Sequence, residues 1–214
     1  MRTQYPPLNA TGPARLVVLI SGGGSNMAAL HQACLDPAYG AQIVAVGSDR
    51  PDIAGLAYAG EHGLETFTCA LPDYPDRESW DRGLCGQVAS YQPDLVICAG
   101  FLKLLGPTFL DQFGGRTLNT HNSLLPAFPG VRGPQDAVEY GVKVAGATLF
   151  IVDAGVDTGV IVAQCVVPVD FDDDADSLLE RIKVAERAQL VDIVGQMCRQ
   201  GWEIDGRRAR IRPA

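Results

Sequence analysis

Four short apolar runs, RLVVLI (15–20), QIVAVGS (42–48), LETFTC (64–69) and DLVICAG (94–100), constrain what this chain can fold into. Each is too short for a buried helix and is bounded by turn or cap residues, so each reads as a buried strand. Helical segments separate them: NMAALHQACL, then DIAGLAYAGEHG ending at Gly63, then the amphipathic DRESWDRGLCGQVASY (76–91). A β-α-β-α-β-α-β alternation implies a parallel sheet with helices on both faces. Beyond it come a fifth strand, RTLNTH, a helix, GPQDAVEYG, stopping at Gly141, and two long strands, 144–153 and 160–169, joined by AGVDTG. A long helix follows, and a hairpin around Asp205-Gly206 closes the chain. The expected class is α/β: a Rossmann-like, mostly parallel sheet flanked by helices, with a C-terminal antiparallel strand portion and a long terminal helix. Residues 1–14, rich in Pro and polar groups, read as a flexible tail, and 15–214 as one domain.

Charge and cysteine usage narrow the function. A net charge of −8 leaves no basic face for nucleic acid. A small anionic ligand is still compatible, because backbone N–H groups bind anions whatever the net charge. No apolar run is long enough to span a bilayer and the N-terminus has no signal-peptide core, so a cytoplasmic protein is expected. The six cysteines are scattered among apolar neighbours and read as reduced core thiols. Cys and His do not cluster at ligand spacing, so no metal is expected.

Four stretches could carry chemistry. In VVLISGGGSNMAAL a strand runs through glycines into a helix start, where free N–H groups favour a phosphate. Gly22 and Gly24 give G-x-G, and Asp49 follows the second strand where a ribose-binding acid would sit. Met27 occupies the third glycine position of a dinucleotide fingerprint, and there is no Walker lysine. In CAGFLKLLGP (98–107), Phe101 to Leu105 follow a buried strand at the carboxyl end of the sheet. They would rim a site for a flat ring or simply bury Phe101 and Leu105. In TLNTHNSLLPAFPG (117–130), Asn119 and His121 are two apart and share a strand face. Both side chains donate hydrogen bonds, so together they suit an oxyanion site, with Pro126 and Pro129 stiffening the exit. In VDAGVDTGVI, Asp153 and Asp157 suit turn chemistry. A carboxylate there would also orient His121 and raise its pKa if brought near. His31 and His62 read as surface residues, and DFDDDAD (170–176) as a solvated loop capping the last helix through Asp174 or Asp176.

Asn119, His121 and Asp157, with SLLP after the histidine, resemble the formyltransferase family that uses 10-formyltetrahydrofolate. VVLISGGGSN, AGFLKLL, LNTHNSLLPAFPG and VDTGVI stand in the family's order over about residues 15 to 205. The resemblance is greatest to the branch that formylates glycinamide ribonucleotide in purine synthesis. It implies a one-carbon transferase with these two small molecules as partners, the folate serving as co-substrate, no metal, and a homodimer as an allowed assembly. It implies that Asn119, His121 and Asp157 catalyse, and that Gly24, Ser25 and Asn26 bind the substrate phosphate. Glu186 would bind the ribose hydroxyls with Lys183 nearby. Arg77, Leu102, Lys103, Leu104, Leu105, Asp153, Ala154, Gly155 and Val156 would border the folate. The family commonly has arginine where Lys103 stands and proline where Asn122 stands. Sister formyltransferases acting on methionyl-tRNA or a nucleotide sugar, and a formyltetrahydrofolate hydrolase, share these motifs. Gly22, Gly24 and Asp49 leave a non-catalytic dinucleotide-binding module open as well.

Overall fold

The structure is a computed structural model that describes residues 2–213. Its elements are β1 (Arg2–Tyr5), β2 (Ala14–Ile20), α1 (Ser25–Cys34), β3 (Ala41–Ser48), α2 (Ala54–Glu61), β4 (Thr66–Thr68), α3 (Arg77–Ser90) and β5 (Leu95–Cys98). There follow α4 (Pro107–Phe113), β6 (Thr117–His121), α5 (Gly133–Tyr140), β7 (Val144–Ile151), β8 (Val160–Pro168), α6 (Ala175–Gln200), β9 (Trp202–Asp205) and β10 (Arg208–Ile211). Seven strands form one sheet in the order β4-β3-β2-β5-β6-β7-β8. The pairs from β4 to β6 are parallel, and β6-β7-β8 is antiparallel.

The central strand β2 is apolar on both sides because both of its faces are covered. Leu16, Val18 and Ile20 pack with Met27 and Leu30 of α1 and with Leu190, Val194 and Met197 of α6. Val17 and Leu19 face the other way, onto Trp80, Leu84 and Val88 of α3 and Phe109 and Phe113 of α4. After β2 the chain builds outward through β3 and β4, then returns to the opposite flank of β2 with β5. That reversal opens a crevice at the carboxyl ends of β2 and β5, the usual ligand position in such sheets. Its two lips are tied together: Ser21 N–H donates to the Gly100 carbonyl at 3.1 Å, and Leu102 N–H donates to Ser21 Oγ at 2.8 Å.

Two sequence expectations need correction. Residues 1–14 are not wholly a loose tail, because Arg2–Tyr5 pairs antiparallel with β9 in a three-stranded sheet, β1-β9-β10. Tyr5 stacks on Trp202 with ring centroids 4.6 Å apart, and Arg2 Nε donates to Glu203 Oε2 at 2.9 Å. The partner strand lies at the far end of the chain, so no local pattern announces the pairing. His31 is buried, whereas His62 is exposed. His31 Nδ1 lies 3.2 Å from the Tyr58 hydroxyl, and burial together with nearby His62 lowers its pKa. All six cysteines are free. Asp174 caps α6 by accepting from Ser177 N–H, and Asp173 pairs with Arg181.

Candidate active site

A cavity of about 410 Å³ opens over the carboxyl ends of β5 and β6. Leu102 to Leu105, Asn119 to Asn122 and Asp153 to Asp157 all line it, so three of the four stretches singled out in the sequence meet in one place. On β6, Asn119 pairs with Cys98 on one side and Phe150 on the other, and His121 pairs with Thr148. The strand is therefore held from both sides at Leu118 and Asn119, and on the β7 side alone at Thr120 and His121. Cys98 also lines the cavity, but burial pushes its thiol up to about 12, which leaves it a poor nucleophile.

Both nitrogens of His121 are accounted for. Nε2 lies 2.9 Å from the Phe128 carbonyl, so it carries the proton donated there. Nδ1 lies 3.7 Å from Asp157 Oδ2, too long for a hydrogen bond and close enough for an ion pair. Neutral His121 in this tautomer has a bare Nδ1, and donation from Nδ1 requires a second proton. The side chains of His121 and Asp157 are only 10% and 12% exposed, so the charge on one is felt strongly by the other. Phe128 and Asp157 both adopt a left-handed backbone, each with φ 53°. For a bulky residue such as Phe128 this conformation is costly and persists only when its surroundings impose it.

Those surroundings are polar. Thr148 Oγ1 donates to the Ser123 carbonyl at 2.7 Å and accepts from Leu125 N–H at 3.0 Å. Ser123 Oγ donates to the Ala127 carbonyl at 2.6 Å, and Gln164 Nε2 donates to the Leu125 carbonyl at 2.9 Å. The prolines alone do not fix this loop. Asp157 Oδ2 accepts from Gly130 N–H at 2.8 Å and joins it to the second loop. Asp153 closes that second loop on itself, accepting from Thr158 Oγ1 at 2.6 Å and Gly155 N–H at 3.1 Å. Arg207, in the turn between β9 and β10, donates to the Thr158 and Gly159 carbonyls at 2.6 and 3.1 Å.

Beside the cavity, Gly24 ends the glycine loop with φ 71° and precedes α1, which has no side-chain cap and no acid in its first turn. A helix start left bare in this way attracts an anion. The loop fits tightly against α2: Gly55 N–H donates to the Gly22 carbonyl at 3.1 Å. A Cβ on Gly55 would lie 2.4 Å from Ile20 Cδ1 and 2.8 Å from that carbonyl oxygen. Gly55 was not singled out in the sequence, because its role is to let a distant backbone approach. Asn26 and Glu186 are both buried, and Asn26 Nδ2 donates to Glu186 Oε2 at 3.0 Å. Asn26 Oδ1 is buried without a hydrogen-bond partner. Lys183 is not drawn into this group; its ammonium sits 2.8 Å from Glu180 on the exposed side of α6.

The far rim is apolar. Leu102, Leu104 and Val156 are 62%, 52% and 50% exposed around the cavity mouth, while Phe101 and Leu105 turn into the core. The stretch is therefore divided, with Phe101 and Leu105 buried as the sequence allowed and Leu102 and Leu104 left at the cavity mouth. Arg77 lies behind the rim, donating to the Leu104 carbonyl and stacking over Trp80 at 5.3 Å. Lys103 Nζ is 3.2 Å from Asp49 Oδ2, and Arg50 is 3.7 Å from the same oxygen. Asp49 is thus committed to two cations, unlike an acid that reads a nucleotide ribose. Among the described residues, no group of three or more His, Cys, Asp or Glu is placed to hold a metal ion.

This arrangement recurs in known proteins. Residues 14–194 match the model of the formyl transferase family. Phosphoribosylglycinamide formyltransferase of Mycobacterium tuberculosis is 50% identical over 208 residues, covering 97% of this chain and 94% of that protein. The Escherichia coli K12 protein of the same name is 35% identical over 192 residues, 90% of this chain and 88% of that one. The crystal structure of glycinamide ribonucleotide transformylase 1 from Symbiobacterium toebii superposes with a TM-score of 0.87 at 38% identity, covering 94% of this chain and 95% of that chain. With the family model matching residues 14–194 and nearly the whole length shared with these relatives, the chain belongs to the formyl transferase family.

Proposed function

We propose that the protein transfers the formyl group of 10-formyltetrahydrofolate to the amine of glycinamide ribonucleotide, a step of de novo purine biosynthesis. The observation that carries this reading is the convergence of Asn119, His121 and Asp157 in a cavity with an apolar rim, beside which α1 starts uncapped with Asn26 bonded to the cavity-lining Thr120. The rim of Leu102, Leu104 and Val156 suits a flat ring system, and formyl transfer is the chemistry that such a co-substrate supplies. The full-length relatives named above favour this substrate over methionyl-tRNA, a nucleotide sugar or hydrolysis. The pairing of Asp49 with Lys103 and Arg50 disfavours a dinucleotide module.

Each residue then has a task. Backbone N–H groups from Gly24 to Asn26 bind the phosphate, and Glu186 accepts from the ribose hydroxyls. Asn26 Oδ1, an acceptor lacking a donor, gains one from the same ligand. When the amine attacks the formyl carbon, negative charge grows on the formyl oxygen. Asn119 Nδ2 and protonated His121 Nδ1 donate to that oxygen, and the Asp157 carboxylate beside the ring offsets the imidazolium charge. The amine proton leaves through water to Asp157 and passes on to the folate nitrogen as its bond to the formyl carbon breaks, so that neutral tetrahydrofolate departs. Residues 102–105 and 153–156 exclude solvent along the folate, and Arg77 and Lys103 border it. No covalent enzyme intermediate is needed. No helix among the described residues is long and apolar enough to cross a membrane. A cytoplasmic setting for residues 15–214 as one catalytic unit completes the proposal.

The test is direct. Purified protein is incubated with both substrates, and formylated ribonucleotide and free tetrahydrofolate are measured. Equal amounts of the two are expected. Formate released without the ribonucleotide at a comparable rate would make the protein a hydrolase.

A further inference from the structure

We propose that Asn122 is a positioning residue that fixes the Glu186 carboxylate for a vicinal diol, making this protein unusually dependent on both ribose hydroxyls. The inference rests on the assignment of Glu186 to the ribose. Glu186 is only 5% exposed, and a carboxylate so deeply placed needs partners. No salt bridge to it occurs among the described residues; its partners are two neutral amides. Asn26 Nδ2 donates to Oε2 at 3.0 Å and Asn122 Nδ2 donates to Oε1 at 3.1 Å.

One amide on each oxygen has a geometric consequence. A carboxylate oxygen has two acceptor positions, so each keeps one open, and the two donors stop the group from rotating. The open positions lie in the carboxylate plane, one on each oxygen, so the group can accept from two neighbouring ribose hydroxyls at once. Asn26 comes from the start of α1 and Asn122 from the end of β6, directly after His121. The carboxylate is therefore clamped between the element that holds the phosphate and the strand that carries the chemistry. A proline at position 122, common in the family, has no side-chain donor and would leave Oε1 free to turn. The clamp is a property of this chain's own residue.

The experiment compares Asn122→Ala, Asn122→Asp and Glu186→Gln with the parent protein, using glycinamide ribonucleotide and its 2′-deoxy analogue. Asn122→Ala should raise KM for the ribonucleotide about tenfold, the lower end for a hydrogen bond to a charged group. The effect should fall on KM rather than kcat, and the deoxy analogue should lose far less. Asn122→Asp keeps the shape, removes the donor and sets two carboxylates together, so its KM should rise at least as much. If it cannot fold, Asn122→Ala alone decides. An unchanged KM in folded Asn122→Ala, an equal loss with the deoxy analogue, or parent-like kinetics in Asn122→Asp would each overturn the proposal. A parent-like KM in Glu186→Gln would overturn the ribose assignment as well. A raised KM there beside a parent-like Asn122→Ala would remove Asn122 only.

Discussion

The two ends of the site are built differently. The end proposed for the nucleotide lies deep in the fold: Gly22 and Gly24 follow β2, which is buried except at Arg15, Gly55 presses α2 against them, and Asn26 and Glu186 are buried. The end proposed for the folate is made of surface loops, residues 102–105 and 153–158, the second held by a few hydrogen bonds accepted by Asp153 and Asp157 and donated by Arg207. A substrate that keeps one rigid handle, a phosphoribosyl group, can be met by a preformed cradle. A large flexible co-substrate is better met by loops that adjust, and loops are drawn from the less stable parts of a structure. The difference predicts that overpacking the buried supports of the first end costs stability and ribonucleotide affinity together. Damage at the second end should cost affinity or rate alone.

The largest effect belongs to the strand between the two ends. Asn119→Ala and His121→Ala should each lower kcat by about 10²–10³, as loss of one oxyanion donor does elsewhere. Because both act on one oxygen, the double variant should fall well short of the product of the single losses. The melting temperature of Asn119→Ala should barely move, whereas His121→Ala also gives up the bond to the Phe128 carbonyl and should melt lower. Losses that multiply would show that the two residues do not share an oxyanion.

Gly55→Val tests the tight end. Its side chain would meet Ile20 and the Gly22 carbonyl, and overpacking of this kind costs roughly 1–3 kcal/mol. A lower melting temperature and a higher ribonucleotide KM should appear together. Val156→Ala is the counterpart at the loose end, where a half-exposed side chain is trimmed. It should weaken a folate analogue a few-fold and leave the melting curve in place. If both variants lose stability equally, the two ends are not distinct.

Gly23→Val sharpens the same contrast. A Cβ there meets nothing within 4 Å and the residue has no positive φ, so the chain tolerates it. The side chain instead occupies the space in front of the helix start. KM for the ribonucleotide should rise about tenfold at an unchanged melting temperature, a clean steric loss of phosphate binding. Gly24→Val is less informative, because its Cβ would lie 3.0 Å from Gly55 Cα and disturb the protein itself.

What could be read from the sequence follows the same division. The strand–helix alternation and the Asn119–His121 spacing are local patterns, and both reappear in the structure within a residue or two. The supports are non-local. Thr148 looks like any strand threonine, yet it anchors the loop after His121. Arg207 sits in a hairpin turn and reaches the loop of Asp157. Lys183 misleads in the opposite direction: its place on α6 is one turn from the site, but its ammonium turns to Glu180. Side-chain direction on a helix depends on which neighbours compete for it, and sequence spacing does not contain that.

The smallest effect connects the terminal sheet to the folate end. Glu203 in β9 is bound by Arg2 of β1 and Arg210 of β10, and the Arg2 hydrogen bond holds its carboxyl below the ordinary glutamate value of 4.5. A carboxyl whose folded pKa is depressed stabilises above its unfolded value and loses that contribution as pH falls through the folded one. Below about pH 4.5 the β1-β9-β10 sheet should therefore begin to loosen. Arg207, in its hairpin turn, would then release the Thr158 and Gly159 carbonyls. Hydrogen exchange, corrected for intrinsic rates, should show residues 153–159 losing protection a few-fold while residues 21–30 keep theirs. Arg207→Ala should produce the same loop signal at neutral pH. Simultaneous loss at both ends in acid would mean that the folate loop is not tethered through the terminal sheet.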